Sequence, residues 1–403
     1  MPETKIAEPA GANHGAAGRR PPSIWLPVML ACTGTLPMHM FVPVLPFAAT
    51  ELGVDAAQIQ LSIGVYVFTL GIGQLLYGPV SDALGRRPVV IAGVLIFVAG
   101  SLVCAMAQSL GVLLAGRVLQ AAGGAAGLTM ARAVVRDVAG GAGSQRDISL
   151  LNLIMLIGPA VSPVLGSWLA VGASWRVIFL TLGLFALLAL GLVLVRMAET
   201  VPLRQPLGLG RVLGEMGGLA THRRFACTAT GGALASTQTY AYFAAAPYIL
   251  IDQLRVQPAH VGWFVGGILL GAVTGTVASR WRIGRMSQNG FMLTAALLAV
   301  GVSALFLMTA LWGGLTPGLL FLLTLILMFS GGAISPTALA ASLDTVPDRA
   351  GAAAGFFGSA QMALGGVCTL LVGLSPDQAV SCGATLLAAS VLSLGLLWVG
   401  RVR

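Results

Sequence analysis

Apolar residues run through this chain in stretches of about twenty, divided by short polar breaks. A helix needs about 20 mostly apolar residues to cross the hydrocarbon core of a bilayer, so each stretch is long enough to span. The runs fall at 24–46, 59–80, 88–107, 110–131, 147–170 and 175–196, then at 225–250, 259–279, 288–312, 316–341, 351–374 and 378–400. Between the two sets lies the only long polar interruption, 197–224, which carries Pro202, Pro206 and several arginines. Residues 1–22 are polar and rich in Ala, Gly and Pro, a composition that predicts a disordered tail before an uncleaved first helix. Strands of a transmembrane barrel would alternate over roughly ten residues, half the length of these runs. The pattern predicts an all-α polytopic membrane protein of twelve transmembrane helices in two six-helix bundles, 23–196 and 225–403, joined by the linker 197–224.

Composition closes the soluble alternative. Hydrophobic residues make up 57% of the 403 positions and charged residues only 9%, whereas a soluble domain carries about a quarter charged residues. The net charge of +9 rests on arginines scattered through short loops rather than gathered on one polar surface, so a nucleic-acid partner is not expected. With the N-terminus inside, every Lys and Arg falls on the cytoplasmic face except Arg117, Arg176 and Arg255. That asymmetry is the positive-inside bias, and it predicts both termini in the cytoplasm. Five cysteines, at 32, 104, 227, 368 and 382, sit within apolar runs without CxxC or metal-ligand spacing, and no cofactor or metal is implied. A weak repeat adds to the two-bundle plan. Gly78 to Asp82, followed by Arg86 and Arg87, is echoed 197 residues on by Gly275 to Ser279, followed by Arg280, Arg282 and Arg285. Duplicated halves with a site at their interface are a common transporter construction.

Several segments carry a family resemblance. GPVSDALGRRP at 78–88 resembles the loop signature of the major facilitator superfamily, and LLAGRVLQAAGGAAG at 113–127 its fourth-helix motif. GPAVSPVLGSW at 158–168 is similar to the fifth-helix motif of its exporters. Together with MFVPVLP at 40–46, WRVIF at 175–179, AAAPYIL at 244–250 and the run from Pro336 to Met362, these look like the bicyclomycin- and chloramphenicol-resistance branch of drug:proton antiporters. The resemblance implies a multidrug exporter of a bacterial inner membrane. Its partners would be a small-molecule substrate, protons and the lipid bilayer, and the chain would work as a monomer.

Residue by residue, the resemblance and the chemistry point to distinct roles. Gly78, Asp82, Gly85, Arg86 and Arg87 would form a conformational latch: Gly78 admits a close helix, and Asp82 pairs with Arg86 or with the positive N-terminus of the eleventh helix near Gly351. Gly158, Pro159, Pro163 and Gly166 would bend the fifth helix, because proline removes a helix donor. The glycine run 121–127 lacks a GK[ST] ending and a preceding strand, so it reads as helix packing. Arg117 lies within a span, where a charge is costly unless it faces the bundle interior, and Gln120 shares its face. Tyr66, Asn152, Gln238, Tyr242, Phe243 and Gln361 are the polar and aromatic candidates for a substrate cavity.

The thirteen acids all lie in tails, loops or helix ends. The branch resembled carries an aspartate in its first helix, and here that position is His39. Histidine exchanges a proton near neutral pH but supplies only neutral or positive charge. The expectation is therefore a proton-coupled exporter biased to neutral or anionic substrates. Capping of a backbone carbonyl is the structural alternative for His39. An importer or uniporter of a small metabolite, or a receptor without proton coupling, is the alternative for the chain. Four scattered histidines and no intramembrane acid do not make an enzyme active site.

Overall fold

The structure is a computed structural model, and it describes residues 25–138, 157–170, 174–199, 208–281 and 286–401. The predicted tail and Asn152 lie outside the described residues. Every long element among them is a helix, as lipid requires: only a helix satisfies all its own backbone groups without water.

The first span is broken. It comprises α1 (Trp25–Phe41), a 3-10 turn at Val42–Val44 and α2 (Leu45–Leu52). Pro43 and Pro46 remove donors at the break, and Gly53, at φ +64°, ends the segment in the left-handed region. The second span, α3 (Ala56–Leu84), opens on a capping box between Asp55 and Gln58. Next come α4 (Arg86–Ala105), α5 (Leu110–Val138), α6 (Ile157–Ala170) and α7 (Arg176–Arg196). The linker is not wholly irregular: α8 (Leu209–Thr221) crosses it and packs on α9 and α14, burying Leu219. In the second half, α9 (Arg223–Tyr248) is followed by α10 (Pro258–Gly267) and α11 (Leu269–Trp281), which share one span. Then follow α12 (Gln288–Leu311), α13 (Pro317–Thr345), α14 (Ala350–Val372) and α15 (Gln378–Gly400).

Ten of the described helices, counting α1 with α2 and α10 with α11 as single spans, are long and apolar enough to cross a membrane. The other two expected spans are α6, of which only 157–170 is described, and α9. That helix carries Thr228, Thr237, Gln238, Thr239, Tyr240 and Tyr242, and nearly all of it is buried by α13, α14 and α15. A helix screened from lipid on every side can hold polar groups that a lipid-facing one cannot. Leu184, Leu188 and Val195 of α7 and Leu297 of α12 show the opposite pattern, exposed on the outside as a lipid-facing belt.

In the first half α5 is central, touching α1, α3 and α4, while α7 covers α4 and α1. In the second, α9 takes the central place and α11 and α12 flank α13. Small residues set these distances. A Cβ at Gly123 would lie 2.3 Å from the Phe97 nitrogen on α4, and one at Gly127 would lie 2.2 Å from Thr33 Oγ1 on α1. The glycine run therefore packs helices, as its sequence context predicts.

Candidate functional site

The halves meet along α3 and α14 and along α6 and α10. A Cβ at Gly266 would lie 2.2 Å from the carbonyl oxygen of Ala160, and one at Gly262 would lie 2.5 Å from that of Pro163. These approaches gather toward the face opposite the linker, called the far face below. There Gln60 of α3, 1% exposed, donates through Nε2 to the Ala244 carbonyl at 3.0 Å and to Gln378 Oε1 at 2.8 Å. Both acceptors belong to the other half, so this neutral amide ties the halves together.

Between the halves lies a central cavity of about 630 Å³, lined by α1, α5 and α6 on one side and by α9, α11, α13 and α14 on the other. His39, Thr239, Tyr240, Arg132 and Gln361 supply its polar and aromatic character, and among the described residues none that lines it is a carboxylate. His39 is 8% exposed. Its Nδ1 lies 2.7 Å from the carbonyl oxygen of Thr35; a carbonyl only accepts, so Nδ1 carries the proton and Nε2 keeps the lone pair. The Phe243 ring from the second half stands edge-on to the imidazole, centroids 5.2 Å apart.

His39 and Arg117 were both candidates for one cavity, and the structure gives them different surroundings. Arg117 is fully buried inside the first half, on the other side of α1 from the cavity. Its Nη1 donates to the Pro37 carbonyl at 3.2 Å and to Gln120 Oε1 at 2.8 Å, while Nε donates to the Ser62 carbonyl at 3.3 Å. Gln120 passes the chain on to Ser101 Oγ at 2.9 Å. The guanidinium lies 4.0 Å from the Tyr66 ring centroid and 5.6 Å from that of Phe41. Carbonyl dipoles and ring faces thus take the place of a counter-ion. Tyr66 has a second task. Pro37 has no N–H, so the helix leaves the Thr33 carbonyl without its usual donor. The Tyr66 hydroxyl lies 3.4 Å from that oxygen and 3.0 Å from that of Gly34.

Gln238 and Tyr242 likewise turn inward. Gln238 donates to Ser390 Oγ at 2.8 Å, which meets Ser303 at 2.9 Å. Tyr242 is fully buried in the second half. Of the described cavity candidates, His39 and Gln361 line the void, Phe243 touches His39, and the others pack within one half or the other. Thr35, Ser236, Thr239 and Arg132 line it without having been singled out; each is a common residue type whose facing only the assembled halves reveal.

At the linker face the loop is built around its own residues. Asp82 pairs with Arg86 at 2.6 Å, Ser81 Oγ accepts from the same guanidinium, and Gly85 holds φ +102°. Glu199, at the start of the linker, accepts from the backbone N–H of Arg86 at 2.8 Å and of Arg87 at 3.3 Å. A carboxylate there complements the positive end of α4, and sequence separation concealed it. The tight approach expected at Gly78 is absent among the described residues: a Cβ there would meet none of them within 4 Å. A cavity of about 340 Å³ instead separates Gly78 and Asp82 from Gly355 and Gly358 of α14. Tight packing on α3 occurs earlier, at Gly71 against Met362 and at Gly73 against Ala125. In the fifth span, Gly158 also faces open space, whereas a Cβ at Gly166 would lie 2.0 Å from the carbonyl oxygen of Met40. Pro159 lines the central cavity.

Two helical halves around a central void define the class: this is a membrane transporter of the two-bundle type. The chain belongs to the Major Facilitator Superfamily, whose profile matches residues 28–369. It is 31% identical over 90% of its length, and 91% of the relative's, to YdgK of Bacillus subtilis, named an uncharacterized MFS-type transporter. It is 27% identical over 92% of its length, and 93% of the relative's, to multidrug resistance protein D of Escherichia coli. A chloramphenicol resistance protein of Pseudomonas aeruginosa matches at 41% over 37% of this chain and 36% of its own. Among solved structures, a bacterial homologue of the human lysosomal transporter Spinster, in an inward-facing and occupied conformation, covers 95% of this chain and 97% of its own. Its TM-score is 0.75 at 14% identity, a likeness of fold alone. The protein is thus a transporter of this superfamily and not an enzyme.

Proposed function

We propose that this chain is a proton-coupled secondary exporter that moves neutral or anionic drug-like molecules out of the cytoplasm by alternating access. Multidrug, chloramphenicol and bicyclomycin resistance proteins among its relatives support efflux. The observation that carries the finer reading is the central cavity: His39 and Arg132 line it, and among the described residues no carboxylate does. A cation entering it meets no negative partner, while an anion meets a guanidinium and, at low pH, an imidazolium. His39 Nε2 is the proton-carrying atom, because Nδ1 is committed to the Thr35 carbonyl. The linker face is cytoplasmic, as the arginine distribution favours, and so are both termini, in a bacterial inner membrane. The working unit is a monomer, with bundles 23–196 and 225–403 rocking about the linker.

Two measurements test this. Everted vesicles expressing the His39→Ala variant should bind substrate yet lose the acceleration of transport by an imposed pH gradient; unchanged coupling would refute the role of His39. A susceptibility panel in an efflux-deficient host should show protection against neutral or anionic antibiotics. Protection confined to cationic compounds would overturn the charge argument while leaving transport intact.

A further inference from the structure

A second void lies at the far face, of about 870 Å³, and it shares no lining residue with the central cavity. Its size suits a drug-sized molecule. One wall comes from the first half, through Phe47 and Glu51 of α2, Ser167 of α6 and Trp175 before α7. The other is the first turn of α10 in the second half, Gln257 to Ala259. The chemistry of these walls is specific. Glu51 looks like a cation trap, but its carboxylate is already engaged: Arg176 forms an ion pair with it, and Trp175 Nε1 donates to its Oε2 at 2.7 Å. The pair cancels the charge and fixes the indole as a wall. Phe47 is 47% exposed, an aromatic face without cover.

Two groups remain to greet a ligand. Ser167 lines the void where α6 meets α10, is only 3% exposed, and its Oγ lies beside Gly262 with no hydrogen-bond partner among the described residues. A buried hydroxyl left so is costly unless something accepts its proton. Opposite it, α10 begins at Pro258, and its N-cap residue, Gln257, makes no side-chain capping bond. The positive end of that helix is therefore presented to the void without a protein acceptor from its own cap. An uncommitted donor and a helix N-terminus, set between aromatic faces whose one carboxylate is neutralised, ask for the same partner.

The geometry points to a second small-molecule site at the far face, for neutral aromatic compounds that carry a hydrogen-bond acceptor such as a ketone or nitro oxygen. Because the site takes one wall from each half, its occupant holds the far face closed and inhibits the transport cycle without competing for the central cavity. This inhibition rests on the alternating-access reading above; the binding does not.

Benzophenone is a suitable probe, being a neutral aromatic ketone that inserts into nearby C–H bonds under near-ultraviolet light. The full-length protein in lipid nanodiscs should be labelled saturably on peptides containing Phe47, Ala170 and Ala259. Ser167→Ala should raise the half-saturating concentration by about fivefold, the loss of one net hydrogen bond. Thr50→Trp, which fills the pocket from an exposed position, should abolish the far-face label while leaving label in the central cavity, which also reports that the variant folds. Spin labels at the exposed positions Gln108 and His260 should shift toward the shorter distance as benzophenone saturates. Non-saturating label spread over lipid-facing helices, or label only in the central cavity, would overturn the site. Saturable far-face label without a distance shift would overturn the inhibition and leave the site standing.

Discussion

Replacing Gln60 with leucine should open the far face. The amide makes two neutral hydrogen bonds across the interface, at 3.0 Å to the Ala244 carbonyl and 2.8 Å to Gln378 Oε1. When the halves part at this face, all three groups meet water and recover their bonds there. The stabilisation specific to the closed state is therefore the net value of the pair, at about 0.5–1.5 kcal/mol each. Leucine keeps the volume and removes both bonds, so the balance should move by about 1–3 kcal/mol, roughly 5- to 150-fold in the ratio of open to closed. Double electron–electron resonance between labels at Gln108 and His260, in nanodiscs and with the native cysteines replaced by alanine, reads that ratio directly. The long-distance population should grow in Gln60→Leu. Gln60→Glu sharpens the test: an ionised carboxylate presents no donor to two acceptors, so it should open the face at neutral pH and allow partial closure on acidification, when one O–H returns. A Gln60→Leu distribution identical to wild type would refute the inference that these bonds hold the halves together.

Other substitutions test the packing and the buried polar network. Gly166→Val should lower the thermal midpoint of the solubilised protein sharply, since its Cβ would fall 2.0 Å from the Met40 carbonyl and overpacking costs about 1–3 kcal/mol. Gly158→Val, in open space about two turns away, should leave it nearly unchanged; equal losses in both would show helix propensity, and not α1–α6 contact, to be the cause. Tyr66→Phe should cost about 1–3 kcal/mol by stripping the hydroxyl from the Thr33 and Gly34 carbonyls, measured as a lower unfolding midpoint. An unchanged midpoint would mean that those carbonyls find another donor.

The signal for the spans was strong because lipid imposes it. A membrane helix must be apolar for about twenty residues wherever it faces hydrocarbon, and that requirement is written position by position. Where it lapses, the reason is tertiary. The seventh span, α9, is too polar to satisfy a hydropathy criterion, yet its neighbours bury it and its threonines, glutamine and tyrosines tolerate the place. The linker helix α8 was missed for a different reason: it is amphipathic but only 13 residues long, too short to cross a bilayer, so a reading for apolar spans passes over it.

Candidate site residues were legible by type and not by direction. Arg117 must be inside because a charge cannot face lipid, but inside has two meanings in a two-bundle protein: the core of one half or the void between halves. A turn of α1 decides between them, placing His39 at the void and Pro37, with its carbonyl to Arg117, on the side away from it. Glu199 met the α4 N-terminus, and Gln60 met Ala244, across separations that no local pattern encodes. The amino-acid sequence by itself determined the membrane, the helices, the face that carries positive charge and the placing of the acids outside the middle of the apolar runs, since each follows from the transfer cost of single residues. Only the tertiary structure decided which polar groups share a cavity, which far-face bonds close it, and that Gly78 faces open space here, because those depend on how two rigid halves are set against each other.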